Sequence, residues 1–489
     1  MSGSSTKVLK NVFLPVSDNK LKLVDIQFSN LVEKIIEKSS DEIDWKDIDT
    51  PVKRNQFSRQ FPKSEYPSDI KIYDGQFLVV IPGAIDSHVH FDTPGFEDRD
   101  DFEHGSTAAA FGGVTTVIDM PCTCLPPVIN KHNFENKLNV LKNRSLVDYC
   151  FYGGVCGNDF DNNLNIEKQV KELSESGVAA FKTYLISGMN TFKDLNEERI
   201  LRAARWIKAA NKLMAVHAED KQMIIERRMA AKNAGQNNWK AYCSARDDKA
   251  EEKAICLLLK IARQTGCRIH VVHLSSKLGL DLIRSAQDEG LKITSETCPQ
   301  YLFFTQKDFE NPKISNFLKT APPVKNEADR EALWEGLKDE TLSFVVTDHA
   351  GCNPETEKSS KNFWEVYGGI PGVEHRVPFL LSEGFLKNKL TLSQTINLLS
   401  SNVADYFNLK SKGYIKSGYD ADFALIDLWN KKVIKSEEMH SKGKYTPFDG
   451  ITFNAVVEKT FLRGELIINN SGKTEQTIGY GKFIEVSSV

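Results

Sequence analysis

Ile85-Asp86-Ser87-His88-Val89-His90 decides how this sequence folds. The run is short and opens on apolar residues, so it reads as a buried strand carrying two imidazoles to its carboxyl end. Alternate residues of a strand share a face, which sends His88 and His90 the same way. Four more runs end on a polar side chain in the same manner. They are Ala179-Ala180-Phe181-Lys182, Met214-Ala215-Val216-His217, His270-Val271-Val272-His273 and Phe344-Val345-Val346-Thr347-Asp348. Side chains arriving from strand ends so far apart in sequence imply the mouth of one parallel barrel with a metal centre in it.

Working outward, eight β-like runs alternate with helical patterns between about residues 77 and 350. They span 79–90, 114–120, 149–155, 178–185, 213–218, 268–274, 291–297 and 342–348. In the pattern at 196–212, Asn196 is placed to cap a helix, and Ile200, Ala203, Ala204 and Ile207 share one face. Eightfold strand–helix alternation predicts an α/β fold, a (β/α)8 barrel over 77–410, with long loops at 220–249 and 351–376. The flanks read as strands instead: 7–13 and 21–28 before the barrel, 421–426, 455–462 and 465–468 after it. Gly418-Tyr419-Asp420-Ala421-Asp422 supplies the turn into the second set. Residues 1–76 and 411–489 are therefore expected to form one small β-sandwich-like domain from both chain ends, with 44–67 as an exposed, polar, non-periodic insertion loop.

Composition narrows the classes. With Lys+Arg 63 against Asp+Glu 66, the net charge of -3 gives no reason to expect nucleic acid or a membrane surface as partner. The 9 cysteines are odd in number and sit mostly in apolar segments, which fits reduced thiols and a cytoplasmic setting. No apolar run approaches the ~20 residues that span a bilayer. Residues 1–10 carry no signal-peptide core, and Ser487-Ser488-Val489 lacks a peroxisomal address.

Each candidate ligand has a plainer reading. A lone His-x-His is a weak metal signal, but His88 and His90 have distant partners and suit zinc or another first-row dication. His217 and His273, taken singly, could be buried structural histidines. His270, three residues from His273, faces away and reads as structural. Asp348 could be a helix cap, yet it supplies the carboxylate such a site lacks. Lys182 could be snorkelling to solvent. An ammonium beside dications would be repelled, so at a metal site it must be modified, and carboxylation of its amine by carbon dioxide would make it an anion.

The residues resemble those of the cyclic amidohydrolases: dihydroorotases, allantoinases, hydantoinases and dihydropyrimidinases. The resemblance covers about residues 80–426. It rests on Pro82-Gly83-Ala84-Ile85-Asp86-Ser87-His88-Val89-His90, Gly112-Gly113-Val114-Thr115-Thr116-Val117-Ile118-Asp119-Met120-Pro121, Glu296-Thr297-Cys298-Pro299-Gln300-Tyr301-Leu302 and Thr347-Asp348-His349. It implies two divalent metal ions, usually zinc, with His88, His90 and Asp348 at the first and His217 and His273 at the second. Carboxylated Lys182 would bridge them together with a hydroxide, and Asp348 would act as general base and then acid in opening a cyclic amide or ureide. A homo-oligomer, dimer or tetramer, is also implied. The rival class is a non-catalytic scaffold of the same fold, whose members usually lose ligands that are intact here.

Dihydroorotases of this branch carry Arg, Asn and His where this chain has Asp92, Cys122 and Cys352. Pro126-Pro127, Cys352 and Tyr367-Gly368-Gly369-Ile370 resemble allantoinases. Ser187 stands where dihydropyrimidinases and hydantoinases place Tyr, and Tyr184 is expected to point differently. The resemblance favours allantoin as substrate, with a hydantoinase or dihydropyrimidinase activity as the alternative. Asp92, Cys122, Cys298, Cys352 and Gly369 are the expected substrate-contacting residues.

Overall fold

The structure, a computed structural model, describes residues 5–61, 65–469 and 472–487. Its centre is a ring of parallel strands. Ala84–His90 pairs with Val114–Asp119, which pairs with Asp148–Phe151. That run resumes as Gly153–Gly154, and pairing continues through Phe181–Tyr184, Met214–His217, Ile269–Val271, Ile293–Thr297 and Phe344–Val345. The last run resumes as His349–Ala350 and pairs with Ala84–His90, closing the ring. Two of the eight runs are thus broken in the middle, one at Tyr152 and one at Val346–Asp348. Backbone bonds bridge both breaks: Tyr152 N donates to Asp119 O at 2.9 Å and Val346 N to Thr297 O at 2.9 Å.

Helices cover the ring because their sequences present one apolar stripe. In Glu197–Ala209, Asn196 accepts from Arg199 N, and Ile200, Ala203, Ala204 and Ile207 are buried, as their spacing predicts. Asp248–Thr265 buries Ile255, Leu258, Leu259 and Ile261 in the same way.

A nine-stranded sheet draws on both flanks of the chain, Lys7–Ser17 to Lys71–Pro82 on one side and Phe423–Asp427 to Lys473–Thr474 on the other. The two sets are joined where Phe423–Asp427 pairs with Lys71–Pro82. Alternation buries both faces: Val79 and Ile81 join the main core, while Leu78 and Val80 pack with Phe28, Phe423 and Phe461 in a second cluster. The expected run at 79–90 is therefore two strands, one in each sheet, divided at Gly83. A Cβ on Gly83 would lie 2.2 Å from Thr115 Oγ1, so the crossing between sheets needs glycine.

All three expected loops are partly helical, 351–376 through the short Pro354–Glu357. Within 44–67, Asp44 and Thr50 cap Trp45–Ile48 and Pro51–Ser58, and Trp45 packs 5.3 Å from both Trp429 and Phe385. Residues 62–64 lie outside the described residues. Within 220–249, Asp220 and Asn238 cap Lys221–Asn233 and Trp239–Ala245. The first of these buries only Ile224, which is why no apolar stripe marks it in the sequence. Among the described residues, no helix is long and apolar enough to cross a membrane.

Candidate metal centre

The carboxyl ends of the strands bring the sequence-predicted ligands together. His88 Nε2 and His90 Nε2 each lie 3.2 Å from Asp348 Oδ1. The ligand atoms of these three residues all fall within 4.8 Å of one another. His217 Nδ1 faces His273 Nε2 at 3.1 Å, and the His273 ring stands 5.4 Å from that of His88. Donors about 2.0–2.1 Å from a tetrahedral ion sit roughly 3.3 Å apart, so both sets have the spacing of ligands around a cation. Lys182 is fully buried and its Nζ has no hydrogen-bond partner among the described residues; the Tyr184 ring is centred 4.8 Å from it. An orphaned buried amine beside such donors fits a group that reaches its working form only with added ligands.

Backbone strain and buried clamps hold these atoms. Asp348 (φ 50°) and His273 (φ 41°) both take the left-handed region that non-glycine residues rarely occupy. Thr347 Oγ1 donates to Asp86 Oδ2 at 2.7 Å, tying the last strand to the first just before Asp348. His349 Nε2 donates to Asp100 Oδ2 at 2.9 Å just after it.

Sequence reasoning missed the groups behind the imidazoles. His88 Nδ1 donates to Glu296 at 2.5 Å, and His270 Nε2 lies 3.1 Å from the other oxygen of that carboxylate. His217 Nε2 donates to Glu219 Oε2 at 2.8 Å, and Arg246 holds both oxygens of Glu219. Both acids were findable. Glu219 falls two residues after His217, on the same face of an extended chain, and Glu296 is the penultimate residue of its own strand run.

Electrostatics follow from burial and neighbours. Burial pushes the Lys182 amine down, against the pull of Cys122 and Asp348. Burial also lowers His217 and His273, keeping both imidazoles neutral. Burial opposes ionisation of Asp348, but His88 and His90 outweigh it and hold the carboxyl well below its usual range.

A cavity of about 420 Å³ opens over these groups, walled by Thr123, Tyr184, Ser187, Arg246, Lys319 and Tyr367 among others. None of the five expected substrate-contacting residues lines it. Asp92 is buried with Oδ2 unpartnered among the described residues, and burial, reinforced by Asp100 and Asp119, raises its pKa well above the carboxylate range. Cys122 sits behind His90, its Sγ 3.1 Å from the Tyr184 hydroxyl. Cys298 is fully buried. The Cys352 thiol faces the Tyr445 hydroxyl at 3.2 Å, and Gly369 O accepts from the same Tyr445 hydroxyl and from Lys358. Motif position places a residue near a site; it does not aim the side chain. Tyr184, expected to point elsewhere, lines the cavity and stacks on His217 at 5.4 Å.

Residues 79–467 match the amidohydrolase family. The chain is 33% identical to an allantoinase of Bacillus licheniformis, covering 84% of this chain and 90% of that one. It is also 33% identical to an allantoinase of Enterococcus faecalis, over 83% of this chain and 89% of that one. Among solved structures, the L-hydantoinase (dihydropyrimidinase) of Arthrobacter aurescens is similar with TM-score 0.87 and 27% identity, covering 99% of this chain and 100% of that one. The strand-end ligand set, the cavity above it and these likenesses agree: the chain belongs to the amidohydrolase family.

Proposed function

We propose that the protein opens the hydantoin ring of allantoin by hydrolysis, giving allantoate. The observation that carries this reading is the cluster of imidazole and carboxylate donors at 3.1–3.2 Å spacing beside the orphaned Lys182 amine. In this reading His88, His90 and Asp348 hold one divalent ion, and His217 and His273 hold a second. Lys182, once carboxylated, would supply a further anionic ligand to them, since a desolvated neutral amine is the form that takes up carbon dioxide. Such ions, when bound, polarise a carbonyl and make water acidic enough to act as a nucleophile near neutral pH. Zinc suits the imidazole-rich donor set.

The chain's own residues do the rest. Asp348, ionised at neutral pH, takes the proton of the attacking water and returns it to the departing ring nitrogen. The ring C–N bond breaks, a new C–O bond forms, and one proton is released as the product carboxylic acid ionises. Tyr184 lines the cavity, and in this reading its hydroxyl, paired with the Cys122 thiol at 3.1 Å, turns to donate to a ring oxygen. Allantoin is favoured by the curated relatives, and the L-hydantoinase likeness favours a second reading with unsubstituted or other 5-substituted hydantoins.

The test is a panel of allantoin, hydantoin, dihydrouracil and dihydroorotate, assayed with zinc and bicarbonate supplied. Allantoin is expected to lead in kcat/KM by tenfold or more, on the order of 1.4 kcal/mol of discrimination. A hydantoin in first place supports the second reading. No hydrolysis of any ring by metal-replete protein refutes both and favours a scaffold.

A further inference from the structure

One stretch of the cavity wall, residues 363–369, contains no helix or strand. Backbone carbonyls without a ladder must find donors elsewhere. Two lysines supply them. Lys319 Nζ donates to Phe363 O at 2.6 Å, to Val366 O, and more weakly to Trp364 O at 3.5 Å. Lys358 Nζ donates to Tyr367 O at 2.9 Å and to Gly369 O at 2.8 Å. Two amines thus hold the carbonyls of residues 363, 364, 366, 367 and 369. We infer that Lys319 and Lys358 are positioning residues for the substrate, their ammonium groups clamping the segment that brings Trp364, Tyr367 and Gly368 to the cavity wall. This rests on the ring-opening reading above in taking that cavity as the place where the ring binds.

Both lysines are buried, at 4% and 2% exposure, so neither charge is answered by water. Among the described residues neither makes an ion pair, and Glu357, next to Lys358 in sequence, pairs with Arg99 at 2.7 Å instead. Aromatic faces stand where a counter-ion is expected. Tyr242 and Phe363 are centred 4.7 Å and 5.2 Å from Lys319 Nζ, and Tyr445 and Tyr367 5.1 Å and 5.9 Å from Lys358 Nζ. What remains for each ammonium is the row of carbonyls. Bonds from a charged donor are stronger than neutral ones. Lys319 has three acceptors, which engage all three N–H groups of the protonated form.

The grip depends on those protons. Burial pushes Lys319 down to about 7, and the cations of Lys358 and Arg246 add to the effect. Burial also pushes Lys358 down to about 7, against the pull of Cys352 and Glu357. The other ionisable groups around the segment are Tyr242, Tyr367, Tyr445, Asp92 and Arg99. Burial lifts the three tyrosines above their ordinary range and drives Asp92 toward its neutral form, while Arg99 is matched by Glu357. Below about pH 7 the clamp is charged. Above it Lys319 loses one of its three donors, and Lys358 keeps only the weaker bonds of a neutral amine. Global stability moves the other way, because each lost proton also removes the cost of a buried charge.

The experiment follows amide hydrogen exchange by mass spectrometry across residues 353–371 in wild type, Lys319→Met and Lys358→Met, stripped and zinc-reconstituted, with the helix Asp248–Thr265 as internal control. At about pH 6 each variant should exchange about tenfold faster or more over 363–369, the worth of a lost charge-assisted hydrogen bond, with the control unchanged. Kinetics on allantoin should show KM raised about tenfold and kcat within about threefold, because the wall holds the ring and takes no part in the chemistry. Both gaps should narrow by about pH 9, where the wild type has lost the same protons. If neither variant folds, the wild type carries the test alone: its exchange over 363–369, corrected for the intrinsic effect of pH, should rise from about pH 6 to about pH 9 relative to the control. Unchanged exchange in a folded variant, a flat corrected profile in the wild type, or a loss confined to kcat overturns the inference. So does an unchanged KM in a variant whose exchange rises. No hydrolysis of any ring, with exchange behaving as expected, overturns the ring-opening reading while supporting the clamp.

Discussion

Lys182→Met separates what the buried amine does for chemistry from what it does to the fold. The Lys182 Nζ is buried without a hydrogen-bond partner among the described residues, and burial drives it toward the neutral form. Methionine keeps a chain of similar length and removes the orphaned polar atom. A buried polar group left unpaired costs about 1–3 kcal/mol, so the variant should be more stable than the wild type by that amount in the absence of metal. Unfolding entropy of about 2.1 cal/mol/K per residue gives roughly 1 kcal/mol per kelvin for a chain of 489 residues, so Tm should rise by about 1–3 °C. With zinc and bicarbonate the order reverses. On the proposed reading the wild type gains stability from every ion held by the folded state alone, whereas the variant lacks the amine that would be carboxylated to bind them. Differential scanning fluorimetry on stripped and reconstituted samples, with metal analysis and ring-opening assays alongside, reads all of this. A stripped variant melting several degrees below the stripped wild type would refute the orphaned-amine argument. Full metal occupancy with normal turnover would refute the bridging role.

Three further outcomes follow from the site. Asp348→Asn should keep the fold but lose about 10²–10⁴-fold in kcat, the usual worth of a positioned acid–base group, as measured by steady-state kinetics on reconstituted enzyme. Asp92→Asn should change kcat/KM less than tenfold, because burial holds that carboxyl toward its neutral form and the amide copies it; a larger loss puts the ionised acid in the pocket. Lys358, pushed down to about 7 from an ordinary 10.5, donates to the carbonyl oxygens of Tyr367, in the cavity wall, and of Gly369 behind it. Between those pH values the unfolded chain binds more protons than the folded one, so this lysine makes stability rise with pH. Lys358→Met should flatten the Tm profile between about pH 7 and 10, and an unchanged slope would show that the buried ammonium is not strained.

Much of the fold was legible because its signals are periodic. Short apolar runs ending on His88, His90, Lys182, His217, His273 and Asp348 mark a ring of strand ends, and the structure gathers those side chains at one mouth. The residues behind them were harder to see. Glu219 and Glu296 sit inside strand-end motifs, and Arg246 directly follows a short helix that buries only Ala241, Tyr242, Cys243 and Ala245. No period announces such a residue; only its partner gives it meaning. The cavity wall was least legible. Residues 186–189, 319–321 and 364–368 come from irregular backbone, where side-chain direction depends on turns that no alternation rule governs. Asp92, itself at φ 52°, shows the consequence: it follows the strand by two residues, yet the chain has already turned its carboxyl inward.

The pairing of Phe423–Asp427 with Lys71–Pro82 has a consequence for how the molecule is assembled. These partners flank the whole barrel, so the contact closes a very long loop and is slow to form by chance. A folding barrel brings Gly83 and residue 421 close, turning a rare encounter into a local one. Until that happens the edge of Lys71–Pro82 stands open, its hydrogen-bonding groups available to any passing strand. Nascent chains stalled before residue 423 should therefore be the ones that aggregate or recruit chaperones, while chains released after it should not.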